Sequence, residues 1–309
     1  MSISQLIGPR RVHPDISALD GGCCAVAGVG SGWDDRVVSA SANRLPVVLL
    51  HGWPVTQEHW RHIVPLLQRA GFAPHPMTMP GLGEAAGEFD RFRKSELAGW
   101  VRDRLVEREL TRFALVGHDW GGTVAVHVAA VMPRAVVALV VEEEILPGVD
   151  VEIPAPGSER YPTWHGPFNR VHGLAEQLVP GREAAYYGTF LEESAGPGGL
   201  EPMALRAYID AYTTPGVLES GLGYYRTRVD DIVDVKRLHE VRVHTPVLAI
   251  GGRYAMGSAV AEGLRPVAPD VTALVLDQSG HYPLEQEPGL AGRAIIEFLR
   301  RHAAETTAR

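Results

Sequence analysis

The sequence predicts an α/β protein with a mostly parallel central sheet, flanking helices and a helical insertion before the last strands. Three observations carry this. Short apolar runs alternate with amphipathic stretches between Leu45 and Val141, the alternation gives way after Pro147 to strand-free sequence, and apolar runs return at Pro246. Strand, helix, strand, helix in this order implies parallel strands joined by crossover helices. A length of 309 residues suits one large domain or a domain carrying an insertion.

Each element has its own signal. Residues 1–43 read as an irregular lead-in, with Ala25-Val26-Ala27 as a candidate strand. Pro46-Val47-Val48-Leu49-Leu50 reads as a strand buried on both faces, ended by His51-Gly52-Trp53-Pro54. Thr56 opens an expected helix to Ala70, with Trp60, Ile63, Leu66 and Leu67 on one face. Phe72 to Met79 is a weaker strand, closed by the turn Pro80-Gly81-Leu82-Gly83. A helix over 95–109, a strand at Phe113–Gly117, a helix over 120–131 and a β-branched run over 136–141 follow. Residues 149–228 show helical spacing around 174–178, 183–191, 203–212 and 218–228. They are expected to form a helical cap domain, with 1–148 and 229–309 as the core domain. The sheet resumes at 246–250 and 271–276, and a closing helix spans about 290–301.

Composition narrows the function classes. A net charge of −8 argues against a nucleic-acid surface or an anionic membrane partner. No run approaches the roughly 18 apolar residues of a membrane span, and the start Met1-Ser2-Ile3-Ser4-Gln5 lacks an export signal, so a cytoplasmic protein is expected. Cys23 and Cys24 are adjacent and suit neither a disulfide nor a metal site; no metal or organic cofactor is expected.

The chemistry centres on Gly117-His118-Asp119-Trp120-Gly121-Gly122, directly after a buried strand and before a helix. That is the setting of a nucleophile elbow, where the central residue sits on a tight strand-to-helix turn. The helix starting there aims free N–H groups at the reacting centre. Its occupant decides the reaction. A serine attacking a saturated carbon would form an ether that water does not readily cleave. A carboxylate forms an ester, which water opens to regenerate the enzyme. Asp119 therefore points to an epoxide or alkyl halide. The plainer reading of Asp119 alone is a helix N-cap.

Together, His51-Gly52-Trp53-Pro54, Gly117-His118-Asp119-Trp120-Gly121-Gly122 and Ser279-Gly280-His281-Tyr282-Pro283-Leu284-Glu285 resemble α/β-hydrolase-fold epoxide hydrolases from about Leu45 to Arg301. Tyr161-Pro162-Thr163-Trp164-His165 and Gly223-Tyr224-Tyr225-Arg226 look like the Cif-like branch, in which a His replaces one of two cap tyrosines. The resemblance implies Asp119 as nucleophile and His281 as the base that activates water. It implies His165 and Tyr225 as donors to the epoxide oxygen, and the Trp53 and Trp120 amides as an oxyanion hole. It also implies a cis Trp53–Pro54 bond that aims the Trp53 amide inward. Trp53, Trp120, Trp164 and Phe168 are the candidate lining of an apolar pocket. Each has a structural alternative, as a loop histidine, a packed cap histidine, or core aromatics. The expected partners are a small-molecule epoxide and water, with a homodimer as a further candidate.

Two departures from the family pattern matter. Relatives place the acid that orients the base in a Gly-x-x-Asp context, and here Gly252-Arg253-Tyr254-Ala255 puts Ala255 there. The substitute lies in Glu142-Glu143-Glu144, where the family register selects Glu143 and some dehalogenases would point to Glu144. Thr78 stands where relatives often have Asp, which bears on a turn rather than the chemistry. A haloalkane-type dehalogenase shares the nucleophile, and a non-catalytic hydrolase-fold receptor shares the fold. The donors His165 and Tyr225 favour an alkoxide leaving group over a halide.

Overall fold

The computed structural model describes residues 44–85 and 89–305. Cys23, Cys24 and the candidate strand at Ala25–Ala27 lie outside the described residues. Six strands form one parallel sheet: β1 (Pro46–Leu50), β2 (Ala73–Met77), β3 (Phe113–His118), β4 (Val136–Glu142), β5 (Val247–Gly252) and β6 (Val271–Leu276), in the order β2-β1-β3-β4-β5-β6. The order reverses direction at β1, which places a crevice at the carboxyl ends of β1 and β3.

Both sheet faces are buried, which explains the unbroken apolar runs. Val48, Leu50, Leu115, Leu139 and Val141 point into one core; Val47, Leu49, Val116, Ala138 and Val140 point into the other. Pro74 and Pro76 fit β2 because it pairs only with β1 among the described strands, so their missing N–H groups cost no ladder bond.

Helix α1 (Ile63–Arg69) is shorter than the helix expected over Thr56–Ala70. A 3₁₀ turn at Gln57–Trp60 precedes it, and the Pro65 ring in a continuous helix would strike the carbonyl of Arg61. Next come α2 (Lys94–Glu107) and α3 (Trp120–Val131). Helix α3 is buried from Trp120 to Ala129, against the sheet and α2.

Between β4 and β5 the regular elements are all helices. The chain there forms α4 (Gly157–Arg160), α5 (His165–Arg170), α6 (Leu174–Leu178), α7 (Glu183–Ser194), α8 (Pro202–Tyr212), α9 (Val217–Arg226) and α10 (Arg228–Val241). Helix α10 runs past the boundary expected at residue 228. The chain ends in α11 (Ala259–Leu264), α12 (Pro283–Gln286) and α13 (Pro288–Glu305). Ala291, Ile295, Phe298 and Leu299 put one stripe of α13 against the sheet. No described helix is long and apolar enough to cross a membrane.

Helix α2 has no cap of its own; its N-terminus is served by α10. Asp231 accepts the Lys94 N–H at 2.9 Å and the Lys94 ammonium at 2.9 Å. Asp234 accepts Arg93 at 2.8 Å and the Ser95 hydroxyl at 2.7 Å. Acids at this helix end also face its positive dipole. Lys94 and Asp231 are fully buried, and burial pulls the Lys94 ammonium below its ordinary value. Removing one member strands a buried charge, so Asp231→Ala is expected to cost about 3–5 kcal/mol in urea unfolding. The paired replacement Lys94→Met with Asp231→Leu should recover most of that loss; no recovery would mean the charge pair is not the cause.

Candidate active site

Asp119 stands between β3 and α3 with φ 50° and ψ −130°, a backbone conformation that L residues rarely adopt. Its neighbours make room for it. A side chain at Gly121 would collide with the Leu50 carbonyl, and one at Gly117 with the Gly121 carbonyl. Only glycine lets β1, β3 and α3 approach this closely.

The Trp53 amide donates to Asp119 Oδ1 at 2.9 Å. Trp53–Pro54 is cis, as is Ala155–Pro156. The loop carrying Trp53 is held by His51, whose Nε2 accepts the Met79 amide at 3.1 Å while Nδ1 donates to the Gly52 carbonyl at 3.0 Å. Burial lowers His51 to about 4, in keeping with this neutral form. The Trp120 amide opens α3 beside Asp119 and makes no hydrogen bond to the carboxylate. Thr78 accepts a hydrogen bond from Gln57 and lies away from these groups.

His281 is fully buried, with Nε2 at 3.6 Å from Asp119 Oδ2 and Nδ1 donating to Glu143 Oε2 at 3.0 Å. Burial disfavours the imidazolium, but Asp119 and Glu143 outweigh it and lift His281 to about 9. Glu143 is thus the acid bonded to Nδ1 of His281. It has φ 51°, and accepts the Gly252 N–H at 2.6 Å and the Met256 N–H at 3.2 Å. These amides flank the loop in which Ala255 stands. Burial pushes the Glu143 carboxyl up, while His281 and both amides oppose this. Glu144 is arranged differently. It accepts the Thr123 hydroxyl and has no bond to His281; burial, then the charge of Asp119, lifts it to about 8.

A cavity of about 160 Å³ opens on Asp119, lined also by Trp120, Glu144, Tyr161, His165 and Tyr225. His165 and Tyr225 are neighbours there, with ring centroids 5.8 Å apart in an edge-to-face arrangement. Burial lowers His165 to about 4 and holds the Tyr225 phenol well above its usual value, so both are neutral donors at pH 7. Tyr161, not singled out from sequence, lines the same cavity and lies 5.2 Å from the His281 ring.

Of the four aromatics expected to line this pocket, Trp120 does so. The Trp53 ring lies behind it, stacked on His165 at 5.8 Å. Trp164 and Phe168 are not on the lining. Trp164 is 37% exposed and donates to Glu193 at 3.0 Å, and Phe168 packs toward Ala175, Val179 and Leu222. Trp164, the N-cap of α5, and Phe168, four residues on, both pack against Tyr186.

Behind the site, His59 donates to Glu142 and Glu285, each at 2.8 Å. Burial opposes its charge, but Glu142 and Glu285 raise it to about 9. Glu142 accepts the Leu284 N–H at 2.8 Å, and Glu285 accepts Arg61 at 2.6 Å and the Tyr208 hydroxyl at 2.5 Å. His118, its ring tilted against that of His59 with centroids 4.3 Å apart, donates Nε2–H to the His281 carbonyl at 2.9 Å. His59, His118 and Glu142 are the one group of metal-ligand type among the described residues. Both nitrogens of His59 are already occupied by carboxylates, so this set reads as a hydrogen-bonded support.

A glycine-flanked acid on a strand-to-helix turn, with a buried histidine and acid behind it, defines the class. The chain belongs to the alpha/beta hydrolase family, whose pattern it matches over residues 47–292. It is 25% identical to the soluble epoxide hydrolase of Corynebacterium sp. (strain C12), over 82% of this chain and 90% of that one. It is 28% identical to epoxide hydrolase A of Mycobacterium tuberculosis, over 85% and 93%. Among solved structures it is similar to Cfl2 from Burkholderia cenocepacia, with TM-score 0.76 and 29% identity over 83% of this chain and 88% of that one.

The two acids should separate on substitution. Glu143→Gln is expected to lower turnover between about 10² and 10⁴-fold, as loss of an orienting carboxylate does. Losing that carboxylate should also shift the His281 imidazole titration, followed by NMR, downward from about 9. Glu144→Gln should cost less than about tenfold and leave the titration above 6.5, the ordinary histidine value. The reverse pattern would make Glu144 the orienting acid.

Proposed function

We propose that this protein is an epoxide hydrolase, with the helical insertion as its cap. The observation that carries the reading is a carboxylate nucleophile facing two neutral proton donors across one small cavity. With Oδ1 of Asp119 held by the Trp53 amide, Oδ2 is the free oxygen to attack. It displaces the ring oxygen from a saturated carbon and forms an alkyl ester. The leaving alkoxide accepts hydrogen bonds from His165 and Tyr225, and the more acidic phenol can supply its proton.

Alkylation removes the negative charge of Asp119. His281 then loses one of the two acids that keep it protonated, its Nε2 proton passes to the Tyr225 phenolate left by ring opening, and the neutral imidazole becomes the base for water. The hydroxide attacks the ester carbonyl carbon of Asp119, and the Trp53 amide receives the oxyanion. Collapse releases the diol and regenerates the carboxylate. Glu143 holds the imidazole with Nδ1–H directed at itself throughout. The similarity to proteins named epoxide hydrolases supports the same reading.

A single turnover of styrene oxide in ¹⁸O-water, with enzyme in excess, tests the route. The oxygen added in that turnover comes from Asp119, so the diol should be unlabelled and the label should appear in the Asp119 side chain. Label in the first diol would sink the ester mechanism. Tyr225→Phe should slow ring opening by about 10²–10³-fold, the usual effect of removing one such donor, with ester hydrolysis nearly unchanged. Halide release from 1-bromobutane without diol formation from styrene oxide would assign the dehalogenase reading instead.

A further inference from the structure

Two arginines of the cavity have no part in this chemistry. Arg170 ends α5, Arg228 opens α10, and both line the cavity that contains Asp119 and Tyr225. Among the described residues, neither guanidinium has a carboxylate within 4.0 Å. Arg226, at the end of the α9 helix that packs on α5, by contrast meets Glu176 at 2.7 Å. Partial burial, then the like charge of Arg228, pulls Arg170 below the ordinary guanidinium value. Two neighbouring cations without an acid between them repel, and an anion held by both relieves that repulsion.

The acids of the cavity do not supply this anion. Asp119 is engaged by the Trp53 amide and His281, and Glu144, lifted to about 8, is largely uncharged at neutral pH. The chain as a whole carries −8, so an anionic ligand approaching it needs a local positive site. Arg170 is exposed and Arg228 partly so, which places the pair on the solvent side of the cavity. At about 160 Å³ the space is compact, close to the roughly 150 Å³ of a cavity that accepts benzene. One small molecule can therefore touch the nucleophile and the arginines together.

We propose that Arg170 and Arg228 form a carboxylate-binding subsite on the solvent side of the cavity, and that the substrate is a compact epoxide bearing an acid group. This rests on the epoxide reading above and adds the substrate class. Planar guanidinium forks match the two oxygens of a carboxylate. Anchoring the acid there leaves the ring to meet Asp119, His165 and Tyr225.

The test compares 3-phenylglycidate with its neutral amide. The acid should be preferred in kcat/KM by about tenfold or more, and the preference should shrink as salt is added. Arg170→Gln and Arg228→Gln should each bring the acid-to-amide ratio toward one, with part of the preference kept by the Lys variants. A ratio within one variant is insensitive to the fraction of protein that folds. Equal use of both compounds by the wild type, or a ratio unchanged in the Gln variants, would overturn the subsite. Titration with cinnamate and cinnamamide, which cannot react, separates binding from chemistry. Tight cinnamate binding without turnover of any epoxide would overturn the epoxide substrate and retain the anion site; equal binding of the pair would overturn the site.

Discussion

Everything at the site depends on how closely β1, β3 and α3 approach one another around Asp119. The main chain at residue 119 is turned into a conformation that costs an L residue on the order of 1–3 kcal/mol. Buried apolar strands on both sides and an α3 buried from Trp120 to Ala129 hold it there. In return, the carboxylate projects from the end of the sheet toward the Trp53 amide and His281. Loosening the packing would let the turn relax, and the carboxylate would leave both partners at once.

Electrostatics completes what packing begins. His281 and His59 are both buried and both raised to about 9, each by two acids, yet only His281 faces Asp119. His59 ties the end of β4 to the segment after His281, through Glu142 and Glu285. The insertion grips the same segment: the Ser194 carbonyl accepts the His281 N–H at 2.9 Å, and Gln286 donates to the Ala195 carbonyl at 2.7 Å. His281 is thus fixed from the sheet side and from the helical side. Its charge state answers to Asp119 and Glu143 together.

Much of this was legible in the sequence. The strands were visible because burial on two faces demands unbroken apolar runs, and Asp119 because its glycines are forced by backbone contacts. Glu143, just past β4, was chosen over Glu144 by the register of the family it resembles, and the structure brings it to His281. The break in the expected helix at Thr56–Ala70 turned on Pro65, whose penalty depends on where the helix starts. The short helices of the insertion hid more. Tyr161, Arg170 and Arg228 line the cavity while Trp164 and Phe168 do not, and a six-residue helix such as α5 has too few turns to show which face looks inward.

The pairing of His281 with Glu143 also bears on how this protein can vary. The Glu143 carboxylate is met on the β5 side by main-chain N–H groups alone, those of Gly252 and Met256. At position 256 any residue except proline offers the same donor, so the side chains of that loop are released from acid duty. A search that recognises the catalytic acid by residue type after β5 would pass over this arrangement. Sequence drift there would erase the familiar signature and leave the relay whole.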